Sequence, residues 1–193
     1  GGFAPNLKTS EEVLDLIILS IERAGLIYLD DISIALDCAA SELFNKDTYR
    51  LTGENKKYSS EEMIVYIQSL VDKYEIKSVE DPFDETDWNA WKTFTNNNKD
   101  LQIVGDDIFV TQEKILTKGI ENKVANSILI KLNQVGTLSE TMQTISLAKN
   151  NGYKTIISHR SGETEDSFIA AFAVAVDAGQ IKTGAPARSD RTA

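Results

Sequence analysis

The chain has 193 residues, of which 41% are hydrophobic and 26% charged, so a globular fold with one sizeable core is expected rather than disorder. Its formal net charge of −10 is spread along the chain, which argues against direct binding of nucleic acid because phosphates require a cationic surface. A small anionic substrate is still compatible, since a few cations or a metal ion can reverse the local field. No apolar stretch approaches the roughly 18 residues of a membrane helix, so no membrane insertion is expected.

Cys38 is the only cysteine, so no internal disulfide can form and a reducing, cytoplasmic compartment is expected. The thiol lies within an apolar run. A structural cysteine is therefore favoured over the alternative, a reactive nucleophile.

Short apolar runs alternate with amphipathic segments along the whole chain. A first helix is predicted near residues 10–24, and Thr9 with Glu12 has the spacing of a capping box at its start. The later elements follow in chain order: strand 32–36, a polar surface excursion at 46–57, a helix opened by Ser59 and Glu62, strand 76–79, helix 86–96, strand 101–104, helix 111–122, strand 127–130, a helix opened by Thr137 and Glu140, strand 154–157, helix 163–178 and a weaker strand 179–182.

Repeated strand–helix units without a hairpin signal predict an α/β fold with right-handed crossovers. The strands are rich in Ile and Val and lack clean alternation, which is typical of a parallel sheet covered on both faces. No glycine-rich phosphate fingerprint follows the first strand, which weakens a dinucleotide-binding sheet. Six strands are too few to close an eight-stranded barrel, so the pattern alone leaves a barrel and an open sheet both available.

Each predicted strand is followed by a residue that can bind a metal, move a proton or hold an anion. In chain order these residues are Asp37, Glu80 with Asp81, Asp106 with Asp107, Lys131, His159 with Arg160, and Lys182. The carboxyl ends of parallel barrel strands meet at one face, so these side chains are expected to converge. Converging carboxylates repel unless a cation lies between them, and oxygen ligands favour Mg²⁺ over Zn²⁺.

Each of these residues also has an ordinary structural alternative. An aspartate at a strand end often caps the next helix, a lone lysine such as Lys182 is usually solvated, and a single histidine such as His159 is often only hydrogen-bonded. Arg160, Ser161 and Gly162 resemble an anion-binding turn that opens a helix. Three carboxylates, a metal ion and a lysine base nevertheless describe together the removal of a proton from a carbon next to a carboxylate.

Seven segments of the chain resemble the enolase family, in the family's order. They are Gly1–Asn6, Leu36–Glu42, Ser78–Phe83, Gly105–Asp107, Leu129–Thr137, Ser158–Asp166 and Gly179–Ser189. The resemblance covers nearly the whole chain. It implies that residues 1–193 form an incomplete TIM-type (β/α) barrel of the enolase superfamily, with about six of the eight strands.

The resemblance also implies an activity and a set of site residues. The activity is the Mg²⁺-dependent dehydration of 2-phosphoglycerate to phosphoenolpyruvate in glycolysis and gluconeogenesis. Lys131 would be the base that takes the C2 proton. The implied metal ligands are Asp37, Glu80 and Asp106, and the implied substrate-binding residues are His159, Arg160, Ser161, Lys182, Glu80 and Asp106.

Other expectations from the resemblance concern the rest of the protein. The family's amino-terminal α+β domain, the glutamate before Gly1 and the carboxy-terminal helices are not in this sequence, so the chain alone is expected to be nearly inactive and marginally stable. The full-length protein is expected to be a homo-oligomer, dimeric or larger. One alternative is a non-catalytic binding role, either toward plasminogen through Lys114 and Lys118, with a surface-exposed or secreted fraction, or in an RNA-degradation assembly. Another is a different Mg²⁺-dependent acid-sugar dehydratase, against which Ser158–Asp166 argues.

Overall fold

The computed structural model describes residues 2–160, 166–185 and 192 of the chain. Contacts between residues divide the protein into two compact units. We call Pro5–Ile103 the amino-terminal unit, and Gly1–Ala4 with Val104–Ala193 the carboxy-terminal unit.

The amino-terminal unit combines helices with two groups of strands. Its elements are α1 (Ser10–Arg23), β1 (Ala35–Asp37), β2 (Phe44–Asn45), β3 (Thr48–Leu51), β4 (Lys56–Tyr58), α2 (Ser60–Tyr74), β5 (Ser78–Glu80) and α3 (Trp88–Asn97). Strands β1 and β5 are parallel neighbours, and Asp37 pairs in register with Glu80. The predicted order of helices and parallel strands is therefore confirmed in this unit, with boundaries shifted by a few residues.

The predicted helix starts of this unit are confirmed by their capping bonds. Thr9 Oγ1 accepts a hydrogen bond from the Glu12 N–H at 3.1 Å, at the start of α1. Ser59 and Glu62 form a complete capping box at the start of α2, in which each side chain accepts from the other residue's backbone N–H. Helix α2 then buries its apolar face, which consists of Met63, Ile67, Leu70, Val71 and Tyr74.

The polar segment 46–57, predicted as a surface excursion, contains antiparallel strands that the sequence did not signal. The segment belongs to an antiparallel three-stranded sheet, in which β3 pairs with β2 and with β4. The turn between β2 and β3 places Lys46 and Asp47 at φ values of 49° and 64°. Two-residue hairpin turns of this kind usually contain Asn-Gly or Asp-Gly, so Lys-Asp gave no hairpin signal.

The carboxy-terminal unit is a run of parallel strands separated by helices. Its elements are the last residues of β6 (Gln102–Gly105), then α4 (Glu113–Asn122), β7 (Ser127–Ile130), α5 (Leu132–Val135), α6 (Leu138–Asn150), β8 (Lys154–Ser158), α7 (Phe168–Ala175) and β9 (Gly179–Lys182). Neighbouring strands pair in parallel in the order β6, β7, β8, β9. Val104, Leu129 and Ile156 form a buried cluster on three adjacent strands.

Two predicted helices in this unit are shorter than expected. Helix α4 begins at Glu113 rather than at residue 111, because Val110 and Thr111 have left-handed backbones with φ values of 44° and 57°. Helix α7 (Phe168–Ala175) is shorter than the predicted 163–178, and residues 163–165 of that prediction lie outside the described residues. Over the ranges that the structure describes, no helix is both long and apolar enough to cross a bilayer.

Candidate metal and proton-transfer site

In the amino-terminal unit, two predicted metal ligands lie side by side at the ends of parallel strands. Asp37 closes β1 and Glu80 closes β5, and the two residues are register partners. Asp37 is exposed, whereas Glu80 is only 7% exposed. The Cys38 N–H donates to the Glu80 carbonyl at 2.9 Å, so the chain segment after β1 is tied to the end of β5.

The thiol of Cys38 lies beside these strand ends. Its pKa is raised to about 12, chiefly by burial and to a smaller extent by the neighbouring carboxylates Asp37, Asp81 and Glu80. A thiol kept protonated in this way is a poor nucleophile.

In the carboxy-terminal unit, the predicted base contacts a predicted metal ligand. Asp106 follows β6 and Lys131 follows β7, and these strands are neighbours in the sheet. Lys131 Nζ lies 2.5 Å from Asp106 Oδ2, and the two side chains are only 17% and 10% exposed. Because the pair is buried, removing either side chain would leave the charge of the other uncompensated.

The loop after β6 is held against the sheet by an aromatic side chain. Phe109 is fully buried, and its ring occupies the space beside Gly105 and Gly119. A Cβ atom at Gly105 would lie 2.5 Å from this ring, and one at Gly119 would lie 2.4 Å from it. The loop also closes on itself, since the Asp106 carbonyl accepts from the Phe109 N–H at 3.1 Å and the Val110 N–H at 2.7 Å. The backbone at Asp106 is therefore held in one position.

The predicted substrate-binding residues His159 and Lys182 are also brought together. They follow from β8 and β9, whose ends pair Ser158 with Lys182. The Lys182 carbonyl accepts from the His159 N–H at 3.0 Å and lies 2.9 Å from His159 Nδ1. This contact assigns the ring proton to Nδ1 and fixes the ring orientation. Gly184 gives the ring room, since a Cβ there would lie 3.2 Å from it.

The predicted phosphate-binding turn is only partly described. Arg160 is half-buried at the end of β8, whereas Ser161 lies outside the described residues. One residue that the sequence analysis missed is Thr111, whose hydroxyl accepts a hydrogen bond from the Lys131 N–H at 3.0 Å. Nothing in the local sequence pattern signals this contact, because the two residues belong to different β–α units.

Parallel strands joined by helices, with acids, a lysine and a histidine at their carboxyl ends, define an α/β protein. The chain matches the family described as the enolase C-terminal TIM barrel domain over residues 1–193, and it belongs to that family. The barrel expected from the sequence resemblance is thereby confirmed.

Proteins named enolase are similar to this chain over its entire length. The identity is 55% over 195 residues with the enolase of Legionella pneumophila (strain Lens) and 56% over 196 residues with that of Helicobacter hepaticus. It is 54% over 194 residues with the enolase of Nitratiruptor sp.. The chain spans 46% of the length of each of these relatives.

Proposed function

We propose that the protein containing this chain is an enolase, a lyase that dehydrates 2-phosphoglycerate to phosphoenolpyruvate. In this proposal residues 1–193 are part of its catalytic barrel domain. Family membership supports the class of enzyme. The observation that carries the assignment of the site is the buried contact between Lys131 and Asp106, at the ends of two adjacent parallel strands.

The donor groups at the strand ends fit Mg²⁺. Asp37, Glu80 and Asp106 offer carboxylate oxygens, which are the ligands that Mg²⁺ prefers. When bound, Mg²⁺ supplies positive charge that stabilises the negative charge developing on the substrate carboxylate.

The proposed proton transfer uses the chain's own lysine. Lys131 Nζ would take the C2 proton, and its contact with Asp106 holds the long side chain in one orientation. The entropy of fixing the lysine has then already been lost before substrate binds.

The remaining site residues would hold the substrate rather than react with it. The Lys182 ammonium would offset the carboxylate charge, and His159 would lie against the substrate with its ring fixed by the Lys182 carbonyl. Arg160 and Ser161 would bind the phosphate.

We also propose, on family membership alone, a cytoplasmic homo-oligomer, dimeric or larger, that acts in glycolysis and gluconeogenesis. Direct contact with nucleic acid is not part of this proposal.

The test measures turnover of 2-phosphoglycerate by the full-length protein, followed by the ultraviolet absorbance of the enol product in the presence of Mg²⁺. Lys131→Ala should lower kcat by about 10²- to 10⁴-fold, the usual contribution of a general base. Lys114→Ala removes an exposed lysine from α4 and should leave turnover unchanged. Wild-type turnover in Lys131→Ala would show that this lysine is not the base.

The metal assignment has a separate measurement that does not depend on turnover. Calorimetric titration of the full-length protein with Mg²⁺ should show weaker binding in Asp106→Asn, because the variant loses a charged oxygen ligand. An unchanged Mg²⁺ affinity would remove Asp106 from the ligand set.

A further inference from the structure

Thr111 lies at the centre of a set of hydrogen bonds around the proposed base. Its side chain is fully buried, and its hydroxyl oxygen accepts from the Lys131 N–H at 3.0 Å. The hydroxyl also lies 3.0 Å from Gln134 Oε1 and 3.3 Å from the Leu129 carbonyl. The Thr111 carbonyl in turn accepts from the Thr144 hydroxyl, at 3.0 Å. The contacts to Gln134 and Thr144 link the residue to α5 and α6.

The backbone at Thr111 is unusual for its residue type. Val110 and Thr111 are both β-branched, and both adopt left-handed φ values, 44° and 57°. Such a conformation is costly for a β-branched residue, and it persists only where the surrounding structure enforces it. The bonds of the Thr111 hydroxyl and carbonyl are the contacts that enforce it here.

The segment Asp106–Thr111 therefore contacts Lys131 at both ends of the lysine. Strand β7 ends at Ile130, so the Lys131 N–H lies beyond the strand and finds its acceptor in the Thr111 hydroxyl. At the other end of the residue, Nζ lies 2.5 Å from Asp106 Oδ2. One short loop thus fixes both the backbone and the amine of the lysine.

We propose that Thr111 is a positioning residue for Lys131, a role that rests on the proposed function of Lys131 as the base. The hydroxyl sets the direction in which the lysine leaves the end of β7. The contact with Asp106 can hold Nζ in its reacting position only if the backbone of Lys131 is itself correctly placed. A displacement of about 1 Å at a reacting group can lower a rate by about a hundredfold, so loss of the hydroxyl should be visible in kcat.

The test compares three variants of the full-length protein. Thr111→Val removes the hydroxyl but keeps the β-branched shape, and Thr111→Ser keeps the hydroxyl. Thr155→Val is the matched control, because Thr155 is also buried on this unit and its hydroxyl has no hydrogen-bond partner among the residues that the structure describes.

Thr111→Val should lower kcat for 2-phosphoglycerate by about 10- to 100-fold and change KM less than about twofold, because substrate-binding groups are untouched. Thr111→Ser should retain most of the wild-type kcat, and Thr155→Val all of it. Hydrogen exchange resolved to single amides gives a readout without turnover. The Lys131 amide should exchange about tenfold faster or more in Thr111→Val, since its acceptor is lost.

If Thr111→Val fails to fold, Thr144→Val carries the test. It removes the bond to the Thr111 carbonyl, together with a 3.2 Å contact to the Glu140 carbonyl within α6, and should lower kcat in the same direction by a smaller factor. A wild-type kcat in Thr111→Val, with faster exchange of the Lys131 amide, would overturn the positioning role, as would an equal loss of kcat in Thr155→Val. Loss of turnover in Lys131→Ala together with normal turnover in Thr111→Val would refute the positioning role alone. Absence of turnover in the wild-type protein would refute the proposed function itself.

Discussion

Replacing Tyr49 by Phe should destabilise the amino-terminal unit by removing a single buried oxygen. Tyr49 lies on β3 and is fully buried. Its hydroxyl donates to Asp87 Oδ2 at 2.9 Å and accepts from the Asp84 N–H at 2.9 Å. The hydroxyl thus joins the small antiparallel sheet to the segment between β5 and α3, where Asp87 also caps α3 by accepting from the Ala90 N–H.

The size of the effect follows from what each partner loses. Asp84 would keep a buried N–H without its acceptor, which costs about 1–3 kcal/mol. Asp87 Oδ2 would lose one donor but retain the Ser60 hydroxyl at 2.6 Å, so its loss is near the lower end of the 1.5–3 kcal/mol expected for a bond to a charged group. The aromatic ring is kept in Phe, so its packing is unchanged. We expect a total loss of about 2.5–4.5 kcal/mol.

Tryptophan fluorescence during urea unfolding is a suitable assay, because both tryptophans of the chain, Trp88 and Trp91, lie in α3 of this unit. The Trp91 indole N–H donates to the Asp84 carbonyl at 3.1 Å, so its emission reports the segment that Tyr49 holds. Tyr58→Phe is the control and should cost less than about 0.5 kcal/mol, because Tyr58 is only half-buried and its hydroxyl lies near the solvent-exposed Lys56. A loss below about 0.5 kcal/mol in Tyr49→Phe would refute the reasoning.

Two further predictions concern the packing and the pH dependence of the protein. Gly119→Ala should destabilise the carboxy-terminal unit by about 1–3 kcal/mol despite the better helix propensity of alanine, because the new Cβ would overlap the Phe109 ring. In urea unfolding, adding Phe109→Leu to this variant should restore part of the loss. An unchanged urea midpoint in Gly119→Ala would contradict the overlap. At alkaline pH, burial raises the pKa of Tyr153 to about 12 and also raises those of Tyr49 and Tyr66. The folded state therefore holds these protons more tightly than the unfolded state, so stability is complete below about pH 10 and falls as the pH rises toward 12, by up to about 1.4 kcal/mol per pH unit for each tyrosine. Urea midpoints between pH 8 and 11.5 should show this fall, with a smaller slope in Tyr153→Phe; equal slopes would contradict the assignment.

The positions of the parallel strands could be predicted because the signal for them is local. Strands β7 and β9 have the predicted bounds, and β8 exceeds its prediction by one residue. Each is a short apolar run between helical segments, and burial on both faces of a parallel sheet requires such a run. The helix starts at Thr9, Ser59 and Thr137 were also predictable, since each cap bonds to a residue three positions later.

The hairpin formed by β2 and β3 and the start of α4 at Glu113 could not be predicted from the local sequence. Lys46, Asp47, Val110 and Thr111 all have left-handed backbones, which the β-branched Val110 and Thr111 in particular disfavour. Contacts from outside the segment stabilise the last of these, since the Thr144 hydroxyl bonds the Thr111 carbonyl from 33 residues away. The backbone preferences of neighbouring residues do not indicate such long-range contacts.

The sequence by itself determined the α/β class, the family and the chemical identity of the residue after each strand, because apolar periodicity and residue type are properties of short segments. Only the tertiary structure decided which of those residues meet. The contact of Lys131 with Asp106 joins residues 25 positions apart, and that of His159 with Lys182 joins residues 23 positions apart. Such distances depend on strand register and on the path of the loops, which long-range hydrogen bonds and side-chain packing fix only once the chain has folded.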